Sequence, residues 1–103
     1  MATFQSILVP TSPVANTTTF TGAIGANGTV SVTIGYRTIF AVTTAVDSNI
    51  KFGNASKVPT AAATDFPVWA KSIQEWETGE EMDRISLFST AGGTYWVYLL
   101  STK

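Results

Sequence analysis

The sequence predicts an all-β, single-domain antiparallel β-sandwich or jelly-roll-like fold of about eight short strands with little or no helix. Three observations carry that reading. Apolar residues recur with period two along most of the chain, β-branched and aromatic residues are plentiful, and turn residues return after roughly every 8 to 15 positions. At 103 residues the chain fits one domain spanning residues 1–103, a size that buries roughly 65% of its unfolded surface and folds without staples.

Phe4 to Val9 forms a first strand, stopped by Pro10 and Pro13, which cannot donate to a ladder. A second, Thr-rich strand follows at "NTTTFTG", and residues 1–22 are also candidates for an extended N-terminal arm. Ala26 to Gly28 carries the Asn-Gly pair of a type I′ hairpin turn. In "TVSVTIG" the alternation is clean: Val30, Val32 and Ile34 point to a core while Thr29, Ser31 and Thr33 point to water. Gly35 permits a bend before a long strand, "YRTIFAVTTAV", with Tyr36, Phe40 and Val42 on one side and Ile39 and Ala41 on the other. "NIKFG" is short, and "NASKVPTAAATDFP" is an irregular connection in which Ala61 to Ala63 make a helical turn at most. "VWAKSIQEW" reads as extended and "ETGEEMD" as a polar turn. The chain closes on a hairpin, Arg84 to Ser89 and Thr94 to Ser101, turning at Gly92-Gly93.

Composition narrows the function. The chain has no cysteine and no histidine, which removes disulfides, thiolate metal sites, thiol catalysis and the usual base at neutral pH. No cofactor is implied. Six basic against seven acidic residues give a net charge of −1, and neither sign forms a stripe that tracks phosphates. Nucleic acid is therefore not expected as a partner. Charged residues make up 13% and Ser plus Thr roughly a quarter, so little repels this surface from neighbouring protein. No window approaches the roughly 20 apolar residues of a membrane-spanning helix, and the first residues lack a basic leader pattern. A membrane is not expected as a partner, and assembly in a cytoplasm is the expected setting.

Several motifs invite chemistry and are better read as structure. "TGAIGANGT" has the wrong glycine spacing for a dinucleotide fingerprint and no P-loop lysine. Glu75, Glu77, Glu80, Glu81 and Asp83 gather enough oxygen for calcium, yet lack the alternating ligands of an EF-hand loop and fit a solvated turn. A glycosidase carboxylate pair needs a cleft that shallow loops do not supply. Asn16, Asn27 and Asn54 head N-x-Ser/Thr triplets of the kind that an Asn- and Thr-rich chain yields by chance. The neighbours Ser56-Lys57 and Lys71-Ser72 point to opposite faces of a strand and make no dyad. No catalytic residue is assigned. Arg37 in an apolar strand either pairs with an acid across an interface or lies on the outer face with its stem on apolar surface. Trp69, Trp76 and Trp96 fit a core, a protein interface or a sugar platform. Trp69 suits the core best and Trp96 the interface best.

The last strand carries the sharpest signal, because both of its faces are apolar. Tyr95, Val97 and Leu99 point one way while Trp96, Tyr98 and Leu100 point the other. With Phe88 beside them, the outer three form an expected patch whose burial, at about 25 cal/mol per Å2 over roughly 400 Å2, favours association by about 10 kcal/mol before docking entropy. The candidate interface residues are thus Trp96, Tyr98, Leu100, Phe88, Trp76 and Arg37, in a homo-oligomer, favoured as a trimer. The alternative lid is the connection "VPTAAATDFP" folded over that face.

The order "IKFGN", "AAATDFPVWA", "EWETG" and "DRISLFSTAGGTYWVYL" resembles the small all-β virion proteins of tailed bacteriophages, among them capsid cement or decoration proteins. The resemblance covers about half the chain. It implies a non-enzymatic virion protein on the capsid surface that binds the major capsid protein and bridges joints that internal DNA pressure pulls apart. A tail or head-fibre component and a carbohydrate-binding host-recognition module are the other functions in view. The segment "TSPVANTTTFTG" is expected to lie extended on a neighbour as an added strand.

Overall fold

A computed structural model describes residues 18–102. The described residues form eight strands and no helix: β1 Thr18–Ile24, β2 Gly28–Thr33, β3 Thr38–Thr44, β4 Ser48–Gly53, β5 Phe66–Val68, β6 Gln74–Glu77, β7 Arg84–Ser89 and β8 Gly93–Thr102. They make two four-stranded sheets, β1-β8-β3-β6 (sheet A) and β2-β7-β4-β5 (sheet B), with every pairing antiparallel. The expected strand Phe4 to Val9 lies outside the described residues, as does most of the expected arm. Its last residues, Thr18 to Gly22, belong to β1 and pair with β8 of the same chain.

The two sheets are one long four-stranded sheet folded over. β1 pairs β8 from Thr18↔Leu99 to Ile24↔Gly93, and β2 pairs β7 from Gly28↔Ser89 to Thr33↔Arg84 without any change of register between the halves. The same holds for the β5–β6 chain along β3–β4, from Ile50↔Phe66 and Ser48↔Val68 to Val42↔Gln74 and Ile39↔Glu77. Four long ribbons therefore turn the same corner together. At the first, Gly28 N donates to Gly25 O at 2.9 Å, and Asn27 adopts a φ of 55°. Asn27 N also donates to Thr90 O at 3.1 Å, which carries the pairing through the bend.

Two expected hairpins are corrected by this arrangement. The Asn27-Gly28 and Gly92-Gly93 turns join strands of different sheets, so each is a corner between layers. A turn residue satisfies the local backbone either way, and the partner strand decides where the chain goes. Gly92 is required at its corner: its φ is +83°, and a Cβ there would stand 2.8 Å from Ala26 N.

The core lies between the layers. Ile24, Val32, Phe40, Val42, Ile50, Val68, Ile85, Leu87 and Val97 are buried, with Phe20, Val30, Phe52, Trp76, Tyr95 and Leu99 packed against them. The alternation expected for β2 holds, with Val32 buried and Thr29, Ser31 and Thr33 exposed.

Opposite the corners, Thr78 ties the open end together. Its hydroxyl donates to Gly35 O at 2.7 Å and accepts from Thr38 N at 2.9 Å, while Thr78 N donates to Thr38 O at 2.9 Å. Ile34 N and Gly35 N both donate to Asp83 O, at 2.7 and 2.8 Å. The β2–β3 and β6–β7 connections thus satisfy each other's backbone in a region without a ladder.

Gly92→Ala is expected to lower unfolding free energy by about 2 kcal/mol, through positive φ and steric contact together. Gly25→Ala at the same corner, where a Cβ meets nothing within 4 Å, is expected to change it by less than about 0.5 kcal/mol. Urea titration of both variants checks the contrast.

Candidate docking surfaces

β8 is a central strand of sheet A, flanked by β1 and β3. Its odd residues enter the core, so alternation sends Trp96, Tyr98 and Leu100 to the outer face. There the sheet supplies part of its own lid. Trp96 stands between Thr21 and Thr43, and Tyr98 between Thr19 and Ala41, leaving both aromatic side chains half-buried. Leu100 sits where the register shifts between Ile39 and Phe40, and it stays 46% exposed. Among the described residues no connecting segment is anchored over this face.

The connection 54–65 lies on the other layer. A Cβ on Gly53 would meet Lys57 O and would stand 2.6 Å from Pro59 Cδ, and Ala61 N donates to Ser86 Oγ at 3.0 Å. Ser86 is buried although it alternates away from the core, because Ala61 covers it. The connection weighed as an alternative lid for the Trp96 face therefore lies on sheet B instead, over Gly53 and Ser86. Ala61 to Ala63 form no helical turn, though Ala61 is buried.

The remaining expected interface residues do not converge on the Trp96 face. Phe88 belongs to β7 in sheet B and points to that sheet's outer side, between Thr29 and Asn49. It cannot stand beside Trp96, because the corner at Thr90 to Gly92 carries the chain into the other layer. Trp76 packs inward at the sheet edge, with ring centroids 5.5 Å from Phe52 and 5.1 Å from Phe66. Its indole nitrogen is buried without a hydrogen-bond partner. Arg37 is not in a strand at all. It occupies the turn before β3 at a φ of 52°, and its guanidinium meets Glu80 at 3.1 Å with both side chains well exposed, a geometry worth about 0–1 kcal/mol.

Trp69, expected in the core, is 59% exposed. It follows β5 directly, and the alternation that buries Val68 turns Trp69 outward. The sequence reading missed its surroundings, an open groove lined also by Asp47, Asn49, Asp65, Pro67 and Thr90. The signal is a register: Asn49↔Pro67 pairs two segments that no local motif connects. Comparison with protein-family models, curated proteins and solved structures returns no match, so both surfaces are read from their own geometry.

Of the acidic stretch, Glu75 and Glu77 lie in β6 while Glu80, Glu81 and Asp83 fall in the β6–β7 turn, and the described residues bring no three of these carboxylates together in an arrangement able to hold a metal ion. Asp83, at the end of this turn, is held by the neighbouring Arg84. Arg84 Nε donates to Asp83 Oδ1 at 2.9 Å and Nη2 to Oδ2 at 3.2 Å. That hydrogen bonding holds the Asp83 carboxyl below its ordinary value of 3.8, and the same contact raises Arg84. A depressed carboxylate stabilises the fold fully above its unfolded value and loses that contribution as pH falls through the folded one. Stability is therefore expected to fall below about pH 4, and Arg84→Gln is expected to flatten that part of the profile. Urea midpoints between pH 6 and pH 2 read the difference.

Proposed function

We propose that this domain is a non-enzymatic virion protein of the capsid cement or decoration kind. It docks the outer face of sheet A on the major capsid protein lattice and reinforces joints between capsid subunits. One observation carries the reading: the chain's own connection roofs the outer face of sheet B around Gly53 and Ser86, whereas among the described residues Trp96, Tyr98 and Leu100 on sheet A are covered only from the sides. An aromatic and aliphatic patch with that lateral support is pre-organised, since little rotamer freedom remains to be lost on contact. Low charge supports it further, because a surface dominated by hydroxyl and apolar groups docks without desolvating many ions.

Purified protein is expected to co-sediment with expanded heads of the phage that encodes it. Leu100→Lys and Trp96→Ala are each expected to weaken binding about 30-fold or more, as central anchors of an interface do. Unchanged urea midpoints for Leu100→Lys show that folding is intact. Wild-type protein left in the supernatant at saturating amounts, or full binding by both variants, sinks the proposal. In sedimentation equilibrium the free protein is expected to be a trimer at micromolar concentration; a single-chain mass throughout removes the trimer and leaves the lattice contact to the head experiment.

A further inference from the structure

The groove beside Trp69 has features that the sheet A face lacks. It is an open volume of about 820 Å3 on the outer side of sheet B, where β4, β5 and the sheet corners meet. Trp69 is exposed, yet the turn that carries it is firmly tied. Ala70 N donates to Asp47 Oδ1 at 2.9 Å and Lys71 N to Thr44 O at 2.8 Å; Ser72 contributes N and Oγ to Trp69 O at 3.2 and 2.7 Å. An indole presented by a fixed turn loses little freedom when something settles on it.

The charged groups of the groove are one-sided. Asn49 Nδ2 is engaged with Asp65 O at 2.9 Å and Ala63 O at 3.4 Å, and Ser48 Oγ donates to Val46 O at 2.9 Å. The side-chain donors of Asn49 and Ser48 are thus already engaged. Acceptors are not: Asp47 Oδ1 takes Ala70 N and Asp65 Oδ2 takes Ala62 N, while the second oxygen of each carboxylate holds no hydrogen bond among the described residues. Two aspartates and no lysine or arginine line the groove; Lys71, next after Ala70, lies outside the lining. Such a site suits a group that donates only, carries positive charge and lies flat on an aromatic ring. A guanidinium meets all three conditions, whereas a neutral sugar leaves the charge of both carboxylates uncompensated.

We propose that the Trp69 groove is a docking site for an arginine side chain of a protein partner, stacked on the indole and paired with the Asp47 and Asp65 carboxylates. The inference rests on the protein-binding reading above but uses none of the Trp96 face. The two surfaces lie on opposite outer sides of the sandwich, so both can be occupied at once. A domain that bridges two chains needs that arrangement.

The test titrates the full chain with N-acetyl-arginine N-methylamide and follows the indole N–H signals of its three tryptophans by two-dimensional NMR. A saturable shift is expected at Trp69 and the Asn49 side-chain amide, with Trp76 and Trp96 unmoved. Binding is expected to be about tenfold tighter than that of the neutral citrulline analogue and to weaken several-fold on adding about 0.5 M salt. Asp47→Asn and Asp65→Asn keep the acceptors for Ala70 and Ala62, so the fold stays intact while affinity drops about threefold or more; Trp69→Ala abolishes the Asn49 shift. An equal response to citrulline, a saturable response to methyl glucoside without one to arginine, or no saturable shift overturns the inference. None of these results bears on Leu100→Lys in the head experiment, so the two proposals fail separately.

Discussion

The constraint on which this fold depends is that ribbons keep their phase while turning a shared corner: the outer pairings hold their register, and the central one moves by an even number of residues, from Thr44↔Tyr95 to Asn49↔Phe88. Side chains alternate along a strand, so a one-residue slip in either half would send a whole inner face to solvent. Here the inner set runs in phase through each bend: Phe20 and Ile24 continue into Val30 and Val32, and Phe40 and Val42 continue into Ile50 and Phe52. The corners therefore fix both layers at once. The bonds at Asn27 and Thr78 matter because each holds backbone at a place where the sheet ladder stops.

That constraint decides which strands have a second face to spare. β7 and β8 each have paired neighbours on both sides, one in each layer, and each must be apolar toward the core. β7 turns Ser86 outward, and the chain's own connection roofs it. β8 turns Trp96, Tyr98 and Leu100 outward with no such roof among the described residues. The lateral cover from Thr21, Thr43 and Ala41 makes the exposed area smaller than the bare pattern suggests. It also gives the two rings a defined position, which favours a specific contact over indiscriminate adhesion.

Much of this was readable from residues alone, and the misses share one cause. The alternation of β2, the limits of β7 and the double-faced character of β8 are local properties of period-two sequence, and each is found where it was expected. Sheet membership is not local. Asn27-Gly28 and Gly92-Gly93 turn a chain equally well within a sheet or between sheets, so reading them as hairpins put Phe88 beside Trp96 when it lies on the far side of the sandwich. Arg37 was misplaced because the period-two run beginning at Tyr36 hides a left-handed turn that ends only at Thr38. Trp69 reads as the best core candidate of the three tryptophans, whereas its position one residue past Val68 sends it outward. The Trp69 groove was invisible for the same reason: Asp47, Asn49 and Asp65 come together only through the β4–β5 pairing.

The two surfaces differ in what they can contribute to binding. An apolar patch is attractive without direction, so the Trp96 face supplies affinity but sets orientation weakly. An exposed charge pair with an aromatic stack has the opposite character, worth little in energy yet demanding in geometry. On the proposed reading the sheet A face binds and the Trp69 groove selects, because a neighbour whose cation falls elsewhere leaves two carboxylates facing low-dielectric protein uncompensated. Such a division suits a sparsely charged domain, in which a single groove can impose specificity precisely because few other charges compete with it.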